Sequence, residues 1–447
     1  MEKQKTIFIT SFFGLIARNI LATDFLNILK SDDNLNIIIL APLDKLDLYR
    51  KKFNFPRVSF EGCELENNPC ALDRFLSAVF LNFSDTQTKK IHRLVELKNG
   101  GGHIRFFYHW FLGKISLFKC LRVLLRGVDF LLLSSRGNFS SRLFDKYKPS
   151  LVFTTDIFQP GDIIVAREAQ KKGVKVVGMV RSWDNITSKG LNRFVPRNLA
   201  VNTPDIKKEA IKYLDVQKDK IEVVGIPHYD VYLNEKRVSK EILFNSLGLN
   251  VEKKTIFFAP PSVIYSGNDP IAEAVVGALK NLDAQILLRL YIVGDANLGS
   301  IKPVYGKVAI DRPIAGKDFN SADLTAEGSH LADLLYHSDV VITFASTLAI
   351  DALLFDKPVV FIGFDAEPKL YWRSLRRFYD YDHQRLIVEP NGVKLAKNRT
   401  EMLEFVNRYI SNPELDASDR QRIKEKRCWK LDGKSGERLA NFILNRV

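Results

Sequence analysis

Short β-rich segments alternate with helical patterns from one end of the chain to the other. Such alternation predicts βαβ units, in which consecutive strands lie parallel and helices cover the faces of the sheet. The predicted strands are residues 6–10, 36–41, 151–155, 175–180 and 221–224 in the first half and 255–259, 285–290, 307–310, 340–343 and 358–363 in the second. The predicted helices are residues 15–29, 162–172, 205–214, 271–282, 330–337, 348–355, 399–410 and 418–445. We therefore expect an α/β protein with two doubly wound parallel sheets.

The two halves predict two Rossmann-like domains. The polar, helical stretch after the turn Gly225-Ile226-Pro227 is the best boundary between them. We expect an N-terminal domain over residues 1–232, a C-terminal domain over residues 233–425 and a C-terminal helix over residues 426–447. In a two-domain architecture such a helix could cross back to brace the first domain.

The composition excludes several classes of protein. The 447 residues suffice for two or three domains, and 46% hydrophobic with 26% charged residues fits neither a disordered nor a polytopic membrane protein. The four cysteines form no CxxC pair, which predicts a reducing compartment without a disulfide framework or zinc site. Because no signal peptide or membrane-spanning segment is recognisable, we expect a cytoplasmic protein.

The chain is strongly basic, with 66 Lys and Arg against 52 Asp and Glu and a formal net charge of +14. Such an excess indicates a polyanionic neighbour, which is nucleic acid, a phosphate-bearing substrate or anionic lipid. No RRM, KH, helix-turn-helix or zinc-finger signature is present, so we expect no nucleic-acid partner. In the basic, apolar stretch His103–Arg142, Lys119, Arg122 and Arg126 recur at helical spacing. This pattern predicts peripheral contact with an anionic membrane or, alternatively, a core helix with one solvated side.

The strongest strand-to-helix turn follows the apolar strand 340–343. Ser346 and Thr347 stand where a helix begins, and hydroxyls with free N–H groups at that position suit a pyrophosphate. Asp351 follows one helical turn later and is a candidate acceptor for ribose hydroxyls. The alternative is that Ser346 or Thr347 only caps the helix.

Two further residues are predicted to bind a donor. Arg289 ends a buried-looking strand, and its guanidinium can bind a diphosphate through a bidentate fork. The alternative is an ion pair at the strand end. Ser262 follows another strand in Ala259-Pro260-Pro261-Ser262 and is expected to line the same site.

The first half supplies a second cluster. In the loop after the strand 175–180, Trp183 offers a ring face to a sugar or base, and Asp184 could act as a general base beside Asn185. Alternatively, Asp184 and Asn185 are turn residues and Trp183 is a packing residue. His228 is a rival base or phosphate contact, although a lone histidine is more often structural.

Other residues carry weaker signals. Gly14 follows the first strand and lets a ligand approach the backbone, and Arg18 lies on the next helix. Asp156, at another strand end, is a further carboxylate candidate for which helix capping is the more common role. The seven histidines form no metal-spaced set, and no P-loop, HExxH, GxSxG or EF-hand motif is present. We therefore expect neither a metal nor another cofactor.

Several of these segments resemble one group of proteins. Residues 338–363, SDVVITFASTLAIDALLFDKPVVFIG, are similar to the donor-site segment of CDP-glycerol glycerophosphotransferase-like GT-B transferases, roughly SDVLITDYSSxxxDxxxxxKPxxF. Residues 429–443 resemble the DGKxxER ending of that group. Residues 182–190 resemble the SWDNxTxKG segment of surface-carbohydrate transferases, and residues 225–230 their GxPxxD turn. The chain departs from the pattern at Phe344, where the group has Asp, and at residues 290–292, where relatives carry Arg-x-His-Pro.

The resemblance implies two Rossmann-like domains of the GT-B type facing a central cleft, with the donor on the second domain. It implies a transferase that moves a sugar from a nucleotide-activated donor to a cell-surface polysaccharide or lipid-linked acceptor, without a metal, at the inner face of the cytoplasmic membrane. Polyol-phosphate transfer from a CDP-linked donor and nucleotide-sugar epimerisation are alternatives. A non-catalytic or nucleic-acid-binding basic protein is the alternative from another class.

Overall fold

The computed structural model describes residues 4–64, 70–133, 138–290, 296–313 and 324–447. The chain divides into two compact units, one made of residues 1–233 and 429–447 and the other of residues 234–428. Each unit is built around one parallel β-sheet. The predicted fold class, two parallel-sheet α/β domains, is confirmed.

The first unit contains, within the part of the chain described, a seven-stranded sheet. Its strands are β1 Lys5–Thr10, β2 Leu35–Pro42, β3 Val58–Cys63, β4 Leu151–Thr154, β5 Lys175–Val180, β6 Asn198–Val201 and β7 Ile221–Val223. They lie in the order β3-β2-β1-β4-β5-β6-β7, so the direction of winding reverses between β1 and β4. The sequence did not predict β3 or β6.

The second unit contains six described strands in one sheet. They are β8 Thr255–Ala259, β9 Gln285–Arg289, β10 Val308–Asp311, β11 Val340–Thr343, β12 Val359–Ile362 and β13 Val393–Ala396. Their order is β10-β9-β8-β11-β12-β13, and the winding reverses between β8 and β11. All residues of β11 and β12 are buried, as expected for parallel strands covered by helices on both faces.

Helices connect the strands throughout. Up to the boundary at residue 233 they are α1 Asp24–Lys30, α2 Leu46–Lys52, α3 Ala71–Asn82, α4 Gln87–Lys98, α5 His103–Ile115, α6 Lys119–Leu133, α7 Asn138–Tyr147, α8 Pro160–Lys171, α9 Asn185–Ser188, α10 Pro204–Leu214 and α11 Pro227–Asn234. The chain continues with α12 Lys240–Leu247, α13 Val263–Ser266, α14 Ile271–Leu279, α15 Leu324–His337, α16 Leu348–Leu354, α17 Asp382–Val388, α18 Arg399–Ser411, α19 Ala417–Cys428 and α20 Ser435–Leu444. Among the helices described, none is long and apolar enough to cross a membrane.

The first predicted helix, residues 15–29, is wrong as a single element. The structure has a π-helix at Ala17–Leu21 and then the separate helix α1. The hydroxyl of Thr23 accepts a hydrogen bond from the backbone N–H of Phe25 at 3.3 Å and so starts α1 afresh. A capping threonine inside an apolar pattern was the signal for this break.

The last predicted helix, residues 418–445, is also two helices, α19 and α20. Trp429 and Gly433 between them have positive φ angles of 60° and 69°, a backbone conformation that cannot continue a right-handed helix. The helix α20 belongs to the first unit, where Leu439 and Ile443 are fully buried in the same apolar cluster as Ile7 of β1.

The helix α6 lies in the predicted basic stretch, and its two arginines form ion pairs within the protein. Arg122 binds Asp215 through Nε and Nη2 at 2.9 and 2.5 Å, and Arg126 binds the same carboxylate at 3.0 Å. Burial by itself raises the pKa of Asp215. The two guanidinium groups outweigh this effect and hold the pKa of Asp215 below its ordinary value. Lys119, the third basic residue of this helical pattern, is exposed.

Candidate functional site

In parallel α/β sheets, ligands bind beyond the carboxyl ends of the strands, where the winding reverses. In the second unit this position lies after β8 and β11. Ser262 follows β8, and Ser346 and Thr347 follow β11. The ring of Tyr265, on α13, lies 5.7 Å from the ring of Phe344, so the two turns are in contact. Three predicted donor-binding residues therefore share one edge of one sheet.

The two serines of this edge each begin a short helix. Ser346 Oγ accepts a hydrogen bond from Leu348 N at 3.2 Å, and Ser262 Oγ accepts one from Ile264 N at 3.4 Å. These contacts are those of the capping role that the sequence left open. A hydroxyl that accepts one bond still has its own hydrogen to donate. Ser262 is buried, Ser346 is partly exposed and Thr347 is exposed, so the β11 turn is the more accessible of the two.

Asp351 lies on α16 and is only 9% exposed. The helix α16 packs against α19, which ends at Cys428. Burial first, and the nearby charge of Asp351 second, raise the pKa of the Cys428 thiol. Asp351 is therefore largely enclosed by protein, and little of its carboxylate surface is open to a ribose.

Arg289 ends β9, as predicted, but its guanidinium is already occupied. Nη1 contacts the carboxylate of Asp311 and Nη2 that of Glu327, and all three side chains are at most 7% exposed. His330 Nε2 lies 2.9 Å from the other oxygen of Asp311. The structure thus places Arg289 in the strand-end ion pair that was the alternative to a diphosphate contact.

Phe344 stands where the resembled motif carries Asp, and it is the centre of an aromatic cluster. Its ring lies 5.1 Å from that of Phe378 and 5.9 Å from that of Tyr379. The buried Tyr379 hydroxyl donates to Ile362 O at 2.8 Å, and burial raises its pKa well above the ordinary value. These rings pack against Phe344, the first residue after β11. The sequence did not reveal the cluster, because its members are separated by up to about 115 residues.

In the first unit the corresponding position lies after β1 and β4. Thr155 N donates to Thr10 Oγ1 at 3.0 Å, and Thr155 Oγ1 donates to Thr10 O at 2.9 Å. The Thr10 hydroxyl contacts Oδ1 of Asp162 on α8, which also accepts from Asp156 N at 3.1 Å. Within the described residues, Oδ2 of Asp162 has no hydrogen-bond partner. No pattern in the sequence indicates this carboxyl group as a candidate site residue.

Burial raises the pKa of Asp162 to about 7, and the neighbouring charge of Asp156 adds to the effect. Because its pKa in the folded state exceeds that of the unfolded chain, folding takes up a proton and stability falls as the pH rises towards 7. We expect the free energy of unfolding of the first unit to fall by on the order of 2 kcal/mol between pH 5 and pH 7. Asp162→Asn keeps the acceptor Oδ1 and should abolish most of this slope. Thermal unfolding of both proteins across that range measures it, and equal slopes would show that Asp162 is not the titrating group.

A second buried carboxylate lies beside this position. Asp156 is fully buried and accepts hydrogen bonds from Arg181 Nε at 3.0 Å, from Asn185 Nδ2 at 3.3 Å and from Phe158 N at 3.1 Å. The guanidinium of Arg181 stacks on the ring of Phe13 at 4.1 Å. Asn185, predicted to line the ligand site, instead has its amide group engaged by a carboxylate within the protein.

The Trp183 loop has the contacts of a folded turn. The carboxylate of Asp184 accepts from the hydroxyl of Ser182 and from that of Ser188 at 3.3 Å. The Trp183 side chain is half-buried and packs on the apolar cluster that contains Ile186. These are the turn and packing roles that the sequence left open for Asp184 and Trp183.

His228 is half-buried at the start of α11, with its ring centroid 4.5 Å from that of Tyr229. Burial, and then the positive charges of Arg18 and Arg181, hold the pKa of His228 well below its ordinary value. The imidazole is therefore neutral at neutral pH, the form that can accept a proton. Arg18 lies on the π-helix and donates from Nε to Asn19 Oδ1 at 2.8 Å, and Gly14 lies in the loop before that helix.

Two of the resembled motifs pack on each other. Gly225 has a φ of 90°, and a Cβ at this position would lie 2.5 Å from the hydroxyl oxygen of Ser435. Asp230 accepts from Gly436 N at 2.8 Å, and Arg438 Nε donates to Val224 O at 2.9 Å. The GxPxxD turn and the DGKxxER ending thus anchor α20 to the first unit.

No group of three or more His, Cys, Asp and Glu residues is placed to hold a metal in the part of the chain that the structure describes.

Residues 309–445 match the CDP-Glycerol:Poly(glycerophosphate) glycerophosphotransferase family. This segment contains β11, the Ser346 turn and the DGKxxER ending. The resemblance to that group is confirmed over these residues.

Comparison with solved structures shows the fold. UDP-GlcNAc 2-epimerase from Neisseria meningitidis bound to UDP-GlcNAc is 11% identical with a TM-score of 0.56, over 99% of this chain and 100% of that one. A glycosyltransferase from Rickettsia africae ESF-5 is 12% identical with a TM-score of 0.50, over 99% and 98% of the two chains. The chain has the GT-B fold.

A curated relative is more similar in sequence. The chain is 26% identical over 254 residues to the teichoic acid poly(ribitol-phosphate) polymerase of Bacillus spizizenii. The match covers 55% of this chain and 36% of the relative. The chain thus spans about a third of the length of the curated relative that it matches.

Proposed function

We propose that this chain is a GT-B transferase that moves a sugar from a nucleotide-activated donor to a cell-surface polysaccharide or a lipid-linked acceptor. One observation carries the proposal: the segment that matches the glycerophosphotransferase family places Ser346 and Thr347 at the carboxyl edge where the second sheet reverses. In this class of sheet, that edge is the ligand-binding position.

We assign the donor diphosphate to the β11 turn. The hydroxyls of Ser346 and Thr347 are accessible there and each has a hydrogen to donate to a phosphate oxygen. Such donors stabilise the negative charge that develops on a departing nucleoside diphosphate. Tyr265 is 46% exposed next to Phe344 and offers a ring face to the base. Arg289 has no role as a direct phosphate ligand in this proposal, because two carboxylates already engage it.

For the acceptor hydroxyl we favour His228 over Asp184 as the general base. The described contacts of the half-buried His228 ring are with aromatic rings, whereas both oxygens of Asp184 accept hydrogen bonds from serines. The positive charge of Arg18 near His228 suits an acceptor that carries a phosphate.

Polyol-phosphate transfer from a CDP-linked donor is the second candidate. It is favoured by the names of the matching family and of the curated relative, which refer to glycerophosphate and ribitol phosphate. The identity of the nucleotide that binds separates the two reactions. Product analysis without an acceptor tests the epimerase alternative, because only an epimerase changes the donor sugar under that condition.

The donor assignment predicts the effect of Ser346→Ala. A thermal-shift screen against UDP, CDP, GDP and CMP identifies the nucleotide, and calorimetry then measures its affinity. Loss of one hydrogen bond to a charged phosphate should weaken binding by about tenfold. The control is Ser246→Ala on α12, whose hydroxyl donates only to Leu243 O in the described contacts. Equal affinities for wild type and Ser346→Ala would remove the β11 turn from the donor site.

A further inference from the structure

The outer face of α6 is unusual for a helix exposed to solvent. Its exposed side consists of residues three or four positions apart, which places them in one stripe along the helix. The stripe contains Cys120, Val123, Leu124, Gly127, Val128, Leu131 and Leu132. Leu131 is 79% exposed and Leu124 is 61% exposed. No charged residue interrupts this stripe.

Apart from Lys119 at its first position, the charged residues of α6 point the other way. Besides Arg122 and Arg126 on Asp215, Asp129 is fully buried and binds Arg193 at 2.6 Å and Arg167. A surface helix of a water-soluble domain normally has apolar residues inside and charges outside. In α6 the arrangement is reversed, so its outer side is suited to an apolar neighbour.

Two neighbouring helices also expose large apolar side chains, and we name these side chains together with the stripe on α6 the apolar face. On α5 and the following turn it includes Ile104, Phe107, Trp110, Phe111, Leu117 and Phe118, which are 45–89% exposed. On α3, which packs against α5, Phe75 is 58% exposed. The buried sides of the three helices pack on one apolar cluster. Exposed apolar side chains in this number mark a binding surface for a protein or a membrane.

The charges around the apolar face favour a bilayer. Between residues 103 and 133 the sequence has one acidic residue, Asp129, and that residue is buried. Arg105 and Lys114 are 62% and 42% exposed on the same helices, and Lys119 is exposed. The exposed residues of α5 and α6 thus combine apolar and aromatic side chains with cations, which match the acyl chains and the head-group layer of a bilayer, respectively.

We propose that the apolar face of α3, α5 and α6 inserts into the interfacial layer of a bilayer. Burial of its apolar side chains supplies most of the binding, because Arg122 and Arg126 are held inside the protein and Arg105 and Lys114 are paired with Glu96 and Asp85. Binding should therefore persist on uncharged vesicles and improve by less than about tenfold with anionic lipid. This inference does not depend on the proposed transferase activity.

Co-sedimentation of the full chain with two kinds of vesicle tests the proposal. One kind contains phosphatidylcholine alone, and the other also contains phosphatidylglycerol. The double variant Leu124→Glu, Leu131→Glu should bind both at least about tenfold less than wild type. The control is Ile242→Glu, which changes a 67% exposed side chain on α12 and should bind as wild type does. The thermal midpoints of all three proteins show that they are folded.

A second readout reports on insertion itself. Lipids with brominated acyl chains should quench the fluorescence of Trp110, and Trp110→Phe should remove that quenching. Binding by wild type and the double variant to the same extent, or binding only to anionic vesicles, would overturn the proposal. So would a wild-type dimer in sedimentation that the double variant dissociates, because the occupant of the apolar face would then be a second copy of the chain.

Discussion

Arg289→Met is expected to destabilise the second unit by about 3–5 kcal/mol, the range for removing one partner of a buried ion pair. The change leaves the carboxylates of Asp311 and Glu327 next to each other in an environment where both are at most 7% exposed. The two carboxylates then repel each other, because the guanidinium that compensated both negative charges is absent. The thermal midpoint of the second unit measures the loss.

The stability lost in Arg289→Met should depend on pH. In the variant, one of the two facing carboxyls can take up a proton in the folded state, which relieves their repulsion at low pH. The loss of stability at pH 5 should therefore be smaller than at pH 8. Arg385→Ala is the control, since it removes a pair with Glu389 that is more than half exposed, and should leave the midpoint unchanged.

The same variant separates a structural role of Arg289 from ligand binding. If the guanidinium only holds β9 and β10 to α15, the folded variant binds the nucleotide with the affinity of the wild type. A variant that keeps its thermal midpoint but loses nucleotide affinity would instead restore Arg289 as a donor ligand. The two outcomes cannot be confused, because one is read in stability and the other in calorimetry of the folded protein.

Asp129→Ala is expected to have an effect of similar size in the first unit, about 3–5 kcal/mol. The carboxylate compensates Arg167, which is 7% exposed, and Arg193, which is 16% exposed. Arg193 retains Asp73 at 2.8 Å, but the described contacts leave Arg167 without another ion-pair partner. Since the pair of Asp129 with Arg167 joins α6 to α8, amide exchange in α6 should accelerate more than in the sheet.

Asp145→Ala is the matched control for this change. It also removes an aspartate paired with a basic residue of the α8 region, Lys172, but its side chain is 70% exposed. We expect no measurable change in the thermal midpoint. Equal effects of the two substitutions would mean that the buried pair contributes no more than an exposed one.

The fold could be predicted from the sequence where the local signal is strong. Strands β5, β8 and β11 begin and end at the predicted residues, because each is a continuous apolar run bounded by polar or turn residues. The missed strand β6 is only Asn198–Val201 and follows Pro196, so no periodicity can develop. The missed strand β13 lies at the sheet edge and alternates weakly, with Lys394 half-buried.

The candidate sites were predictable in position more than in chemistry. Ser262 and Ser346 were found because turns after strands are the ligand-binding places of such sheets. The state of Arg289 depends on Asp311 and Glu327, which are 22 and 38 residues further along the chain, and no local pattern shows that pairing. Asp162 was missed because an acid in the first turn of a helix is ordinary in sequence. Its burial against Thr10 is a contact over 152 residues.

The place of α20 has a consequence for how the protein is made. Residues 234–428, the whole second unit, are synthesised before the ribosome reaches Ser435–Leu444. Until then the apolar cluster around Ile7 lacks Leu439, Phe442 and Ile443. The core of the first unit therefore stays incomplete while the second unit is translated and can already fold. For this chain, the part that is made first is the part that is finished last.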